Sequence, residues 1–253
     1  MSENVSNIVN FSILHLIQFF KNYDFNSETQ FIIQANEYNC GIIIDNFTLQ
    51  QTTLFDDIHK YFNVVYFVVN KTIIINKKFI DIIEKQIIFR QFCTFHQTDD
   101  NIKLVIHNIL SKQKYQDLIL LGGEMYIFSK ILTYDTLLCY SDFQSIVEDT
   151  KFNLDKYDNI FLVDYSNFSF DIKNTNSQLI ANTGKSGMGI CICNNIIRNK
   201  IKKLIVISCN EKSFEKDCKI IGKYYKLQEK IIINYVSINF LVINNSNNEC
   251  SIE

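Results

Sequence analysis

The chain has 253 residues, 47% of them hydrophobic and 21% charged, which supplies apolar material for one large or two small cores and excludes a disordered or collagen-like chain. It contains no Pro, no Trp and only seven Gly, so motifs built on prolines or on several glycines are absent. The formal net charge of −2 points by itself to no nucleic-acid partner, yet residues 185–230 carry eleven Lys and Arg against four Asp and Glu, a local +7 that leaves −9 on the rest.

Near the N-terminus, FSILHLIQFFK (11–21) is apolar and long enough for a helix packed on a core. TQFIIQAN, CGIIIDNFTL, NVVYFVVN and KTIIINK then read as strands, because β-branched and aromatic runs are bounded by Asn, Asp and Gly. TTLFDDIHKYF reads as a helix between them, and FIDIIEKQIIFRQF (79–92) as the next helix. KLVIHNIL, LILLG and MYIFSKIL read as further strands. From about residue 142 helices and strands alternate: DFQSIVED as helix, DNIFLVDY and QLIAN as strands, GICICNNIIRNK as helix, KKLIVIS as a buried strand, EKSFEKDCKIIGKYY as an amphipathic helix, then KIIIN and NFLVINN as strands. This alternation predicts an α/β fold with a doubly wound parallel sheet and at least one closing antiparallel strand. The change of texture places a domain boundary near residue 140, with a mixed α+β part over 1–140 and the α/β part over 141–253.

Eight cysteines would suit a disulfide scaffold only in a shorter secreted chain. The polar start MSENVSNIVN is unlike a signal peptide, and the longest apolar stretches fall short of a membrane span. The expectation is a protein of the cytoplasm or another reducing compartment inside the cell, with no membrane partner.

NTGKSGMG (182–189) holds the Gly-Lys-Ser end of a phosphate-binding loop, but the position of that loop's first glycine is Leu179. A strand-to-helix turn of small residues is the simpler reading; a nucleotide site on Lys185 and Ser186 is the bolder one. Cys191, Cys193, Cys209 and Cys218 lack the spacing and the nearby His of a structural zinc, so no metal is expected and buried thiols are the simpler account. His15, His59, His96 and His107 fall in no arrangement with a Ser or Cys nucleophile. Ser208, Cys209 and Asn210 are different, because they follow the most buried strand and precede a helix. A thiol there can have a lowered pKa and act as a nucleophile.

The segment LIANTGKSGMG, a helix, then KKLIVISCNEKSFEKDCKIIGKYYKLQEKIIIN resembles the RNA uridine-C5 methyltransferase family over about 120–253. In that family one strand ends in Asp-Pro-Pro-Arg-Ser-Gly-Leu and the next in Tyr-x-Ser-Cys-Asn. Ser186, Gly187 and the Ser208, Cys209, Asn210 triplet match, as does Asp217. Phe143 and Gln144 match a Phe-Gln pair upstream.

The resemblance implies a Rossmann-like methyltransferase fold for the C-terminal part and Cys209 as the nucleophile on C6 of a uridine. It also implies Gln144 in contact with S-adenosylmethionine. The basic stretch, with Lys185, Arg198, Lys200, Lys202 and Lys203, would bind RNA. The departures fall on the chemistry. Asn182 stands where the family has Asp, and Ser237 and Asn239 stand where it has His and the catalytic Glu. No glycine lies between Gln144 and Asn182, where a cofactor loop is sought. The expectation is a degenerate member impaired in methyl transfer that acts through RNA or a protein partner, using S-adenosylmethionine only if active. The alternatives are an active but divergent S-adenosylmethionine-dependent uridine-C5 methyltransferase, or a nucleotide-binding protein.

Overall fold

The computed structural model describes residues 13–23, 25, 27–35, 39–47, 53–83, 85–95, 99–154, 159–169 and 176–244. The chain divides into two compact units, Met1–Cys93 and Thr94–Glu253.

The first unit opens with α1 (Ile13–Phe20) and builds a sheet from β1 (Gln30–Ala35), β2 (Cys40–Asp45), β3 (Val64–Val69) and β4 (Thr72–Asn76), in that spatial order. β2 and β3 are parallel, and α2 (Thr53–Tyr61) is the crossover that parallel neighbours require. Leu16 and Phe20 of α1, Ile42 and Ile44 of β2, Leu54 and Ile58 of α2 and Phe67 of β3 form its core. Residues 79–92 make no helix; they form a hairpin of β5 (Phe79–Ile83) and β6 (Gln86–Arg90). Burial alternates along it, with Phe79, Asp81, Ile83, Ile88 and Arg90 inward. Lys85, at φ +68°, takes the left-handed conformation of the tight turn. The charged residues at 81 and 90 hid this period of two: Arg90 Nε donates to Asp81 Oδ2 at 2.8 Å and its guanidinium lies 4.3 Å from the Phe79 ring, so both charges are buried as a pair.

The second unit holds α3 (Asp100–Ser111), β7 (Lys114–Gly122), α4 (Met125–Ile131), β8 (Thr133–Ser141), α5 (Gln144–Leu154), β9 (Ile160–Leu162), β10 (Gln178–Asn182), α6 (Gly189–Arg198), β11 (Lys203–Ser208), α7 (Glu211–Ile221), β12 (Tyr225–Ile233) and β13 (Val236–Ile243). Its sheet runs β12-β13-β11-β10-β7-β8-β9, parallel from β11 to β9 and antiparallel at β13 and β12. The chain starts in the middle at β7, winds outward through β8 and β9, then crosses back to β10 and β11. Right-handed crossovers in opposite directions put α4 and α5 on one face and α6 and α7 on the other. The core on the α6–α7 side takes Ile119, Leu121, Leu179, Ala181, Leu204 and Val206 from alternate sheet positions.

This winding corrects the boundary expected near residue 140. β7 pairs with both β8 and β10, so 114–141 is the centre of the α/β sheet and the division falls at Cys93–Thr94. Two segments read as strands are helices. KLVIHNIL lies in α3, whose buried residues Ile102, Ile106, His107 and Leu110 make one helical stripe, and whose first amides, of Asn101 and Ile102, bond to Asp99 Oδ1. MYIFSKIL lies in α4, buried from Met125 to Ser129; in a helix with no polar face, periodicity cannot tell helix from strand. β8, TYDTLLCYS, has no counterpart among the expected strands.

Candidate functional site

All five parallel strands of the second unit end at one edge, and in open α/β sheets that edge binds ligands where the winding reverses. The reversal lies between β7 and β10. There Gly122 has φ +87°, and a Cβ on it would lie 2.3 Å from the Asn182 carbonyl oxygen, so only glycine fits. The Gly123 N–H donates to that carbonyl at 2.7 Å, and Asn182 Nδ2 donates to Glu124 Oε2 at 3.2 Å. Glu124 is 1% exposed and itself has φ +59°. No glycine turn lies between Gln144 and Asn182 among the described residues; the tight glycine turn at this edge is Gly122–Gly123, before Gln144. Its signal in the sequence is LILLGG, a buried strand ending in two glycines.

Asp142, just beyond β8, follows Gly122 at the roughly 20-residue spacing at which dinucleotide-binding folds place a ribose-binding carboxylate. Asp164 lies just beyond β9. Partial burial pushes the Asp142 carboxyl up, its own backbone hydrogen bond pulls it down, and the nearby Asp164 charge pushes it up again. The Ser166 hydroxyl and amide hold Asp164 below the usual range. Beside them the Tyr140 and Phe161 rings stack at 5.3 Å, Tyr165 donates to the Tyr140 carbonyl at 3.2 Å, and Phe143 stands 60% exposed. Gln144 is at this edge as the first residue of α5, with its amide donating to Glu148 Oε1 at 2.7 Å.

Cys209 is half-buried between β11 and α7. The turn around it is fixed: the Asn210 amide bonds to Ser208 Oγ at 3.2 Å, and Asn210 Nδ2 and Ser213 Oγ donate to the Lys185 carbonyl at 3.0 and 2.7 Å. The loop after β10 and the thiol turn after β11 are thus one piece. Asp217 of α7, 3% exposed, completes it by accepting from the amides of Met188 at 2.8 Å and Gly189 at 3.1 Å. Gly187 has φ +78°, and a Cβ there would lie 2.7 Å from Asp217 Oδ2. The start of α6, where a phosphate would bind on Lys185 and Ser186, already holds a carboxylate, which repels a second anion. This corrects the nucleotide-site reading.

Ser237 and Asn239 lie on β13, opposite Ser208 and Val206 of β11. Asn239 is fully buried, donates to the Val206 carbonyl at 3.2 Å and to Ser237 Oγ at 2.9 Å, and leaves its Oδ1 without a partner. Its register position is three residues deeper in the ladder than that of Cys209, roughly 10 Å along the strand.

The basic residues do not form one patch. Lys185 is at the thiol edge, with Lys212 in the first turn of α7. Arg198, Lys200, Lys202 and Lys203 lie at the other end of β11, roughly 20 Å away along six residues. There Lys203 Nζ donates to Gln113 Oε1 at 2.6 Å and Lys202 Nζ to Asn176 Oδ1 at 3.2 Å. Among the described residues no three His, Cys, Asp or Glu side chains are placed to hold a metal, and His96 lies outside them. The described cysteines are free thiols. Burial pushes Cys40 and Cys193 up to about 12 and Cys139 higher still, as expected of thiols that act as small core residues. No helix of the described residues is long and apolar enough to cross a membrane.

No protein-family model matches the chain, and no curated protein matches it in sequence. Among solved structures it is similar to the Pyrococcus abyssi tRNA (uracil-54, C5)-methyltransferase in complex with S-adenosyl-L-homocysteine, at 13% identity and a TM-score of 0.65, over 91% of this chain and 66% of that one. The chain thus spans just under two thirds of that enzyme. It also matches the N-methyltransferase NodS from Bradyrhizobium japonicum WM9 in complex with S-adenosyl-L-homocysteine (10% identity, 58% of this chain and 87% of that one, TM-score 0.46). An rRNA methylase from Streptococcus thermophilus matches at 11% identity, over 59% of this chain and 99% of that one, with a TM-score of 0.40. The first similarity and the strand order together establish that the chain has an α/β, Rossmann-like methyltransferase fold, joined to a mixed α+β N-terminal part.

Proposed function

We propose that the chain is a degenerate RNA uridine-C5 methyltransferase-like protein that no longer completes methyl transfer and acts by binding RNA. The observation that carries this reading is the closed reversal point. The β7–β10 ladder runs to its last pair at Gly122 and Asn182, the Gly123 N–H closes onto the Asn182 carbonyl, and the Asn182 side chain is tied to the inward Glu124. On this reading the edge is unfavourable to S-adenosylmethionine, because the Asn182 amide and the buried Glu124 carboxylate are spent on each other and are not offered to a ligand.

The two positions where the resemblance would put carboxylates, 182 and 239, are also neutral. After a thiolate adds to C6 of a uracil and C5 takes a methyl group, a carboxylate must remove the C5 proton. Asn182 and Asn239 are neutral, and an amide cannot do so. Cys209 keeps its place between a strand end and a helix start, which is the retained part of the chemistry.

Calorimetric titration with S-adenosylmethionine and S-adenosylhomocysteine is the test, and no saturable binding is expected up to millimolar ligand. Saturable micromolar binding would overturn the impaired reading in favour of an active, divergent enzyme. One observation favours that second reading: Asp142 stands at the ribose-carboxylate spacing from Gly122, with Asp164 beside it. RNA binding should weaken steeply with added salt, because lysine contacts to phosphate release counterions; salt-insensitive binding or none would point to a protein partner.

A further inference from the structure

The first unit carries an aromatic hollow that the methyltransferase fold of the second does not account for. It is a cavity of about 370 Å³ at the end of α1 and against β1, lined by Ile17, Phe20, Tyr23, Phe25 and Phe31, with Lys21 as its one charged residue. The rings meet one another tilted or edge-on: Phe20 and Phe31 at 5.0 Å and 43°, Phe25 and Phe31 at 4.8 Å and 85°, Tyr23 and Phe25 at 6.3 Å and 45°. Phe20 is buried and forms the floor, while Tyr23, Phe25 and Phe31 are half-buried, packed on the core on one side and lining the hollow on the other. The Tyr23 hydroxyl is committed to Asp57 Oδ2 at 2.7 Å, which leaves the lining apolar apart from the exposed ammonium of Lys21.

Unstacked bases of single-stranded RNA bind on rings of this kind, with a nearby cation on the backbone, and the volume is at the small end for a ligand pocket. The polar hollow on the same unit, lined by Glu28 and Asp45, carries the wrong charge for a phosphate. We propose that the hollow between α1 and β1 receives one unstacked base of single-stranded RNA, with Lys21 on the adjoining phosphate. This rests on the RNA-binding reading and gives it a second contact region, on the N-terminal unit.

The test uses the full chain and single-stranded RNA containing 4-thiouridine, crosslinked at low salt and mapped by peptide. Affinity is measured by fluorescence anisotropy for the wild type and for the Phe25→Leu and Lys21→Gln variants, after thermal melts show that both fold. Crosslinks should fall within residues 17–33, and Phe25→Leu should weaken binding roughly tenfold, as loss of one base–aromatic stack does. Full affinity in both variants, with crosslinks elsewhere, would overturn the hollow's role and leave RNA binding standing. If the wild type binds no RNA, the functional reading fails, and the hollow is then probed with uridine 5′-monophosphate by ring-proton NMR. Shifts at Phe25 and Phe31 would support a base site, and their absence, or displacement of the nucleotide by a Phe-containing peptide at lower concentration, would overturn it.

Discussion

At the scale of single residues, Asp217 and Gly187 hold the two loops of the thiol edge together. Asp217 accepts two amides at the start of α6. Asp217→Ala removes a charged cap and leaves buried N–H groups unpaired, so it should cost about 2–3 kcal/mol in urea unfolding. Gly187→Ala meets both a left-handed backbone and the Asp217 carboxylate, and should cost about 1–2 kcal/mol. His107 makes a separate prediction. Both ring nitrogens are buried without a partner and its ring packs edge-on against Phe128 at 5.8 Å. Burial first, then the Lys103 charge, pushes its pKa down to about 3. The folded state therefore holds His107 neutral, so its stability is complete above pH 6.5 and falls as the pH drops from there toward 3. By pH 5 the loss should be roughly 2 kcal/mol. Urea midpoints at pH 7 and 5 check it, with a His107→Leu variant expected to lack this part of the slope.

At the scale of elements, the segments that mislead a sequence reading share one feature: their apolar residues do not alternate cleanly with polar ones. α4 is buried from Met125 to Ser129, and the β5–β6 hairpin buries an Arg and an Asp on its inner face. Charge misleads in the same way. The run from Lys185 to Lys203 is continuous in sequence but crosses the sheet from one edge to the other. If RNA lies at the thiol edge, Lys185→Gln with Lys212→Gln should lower the slope of log affinity against log salt by about 1 for each phosphate that no longer meets a lysine. Arg198→Gln with Lys200→Gln should leave that slope unchanged. The reverse pattern, read by anisotropy over a salt series, would move RNA to the opposite edge.

At the scale of the whole molecule, the division at Cys93–Thr94 makes a direct prediction about fragments. A chain of residues 94–253 keeps every strand of the seven-stranded sheet and should fold cooperatively, with an α/β circular dichroism spectrum. A chain of 141–253 lacks β7 and nearly all of β8, exposes the long side of β10 and should aggregate or remain unfolded. Equal stability of the two fragments would contradict the central place of β7.

The sequence by itself determined the α/β alternation after residue 142, the buried strand that ends at Ser208, the thiol turn and the neutral residues at 182 and 239. These are local patterns: a run of β-branched residues, a strand-to-helix turn, a side-chain identity. It also carried the glycine turn in LILLGG, but nothing local marked that strand as the central one. Tertiary structure alone decided that β7 sits between β8 and β10, that Asp217 occupies the start of α6, and that the lysines divide between two edges. The first of these depends on strands that pair across about 60 residues of chain, and pairing between distant strands leaves no period in the sequence of either one.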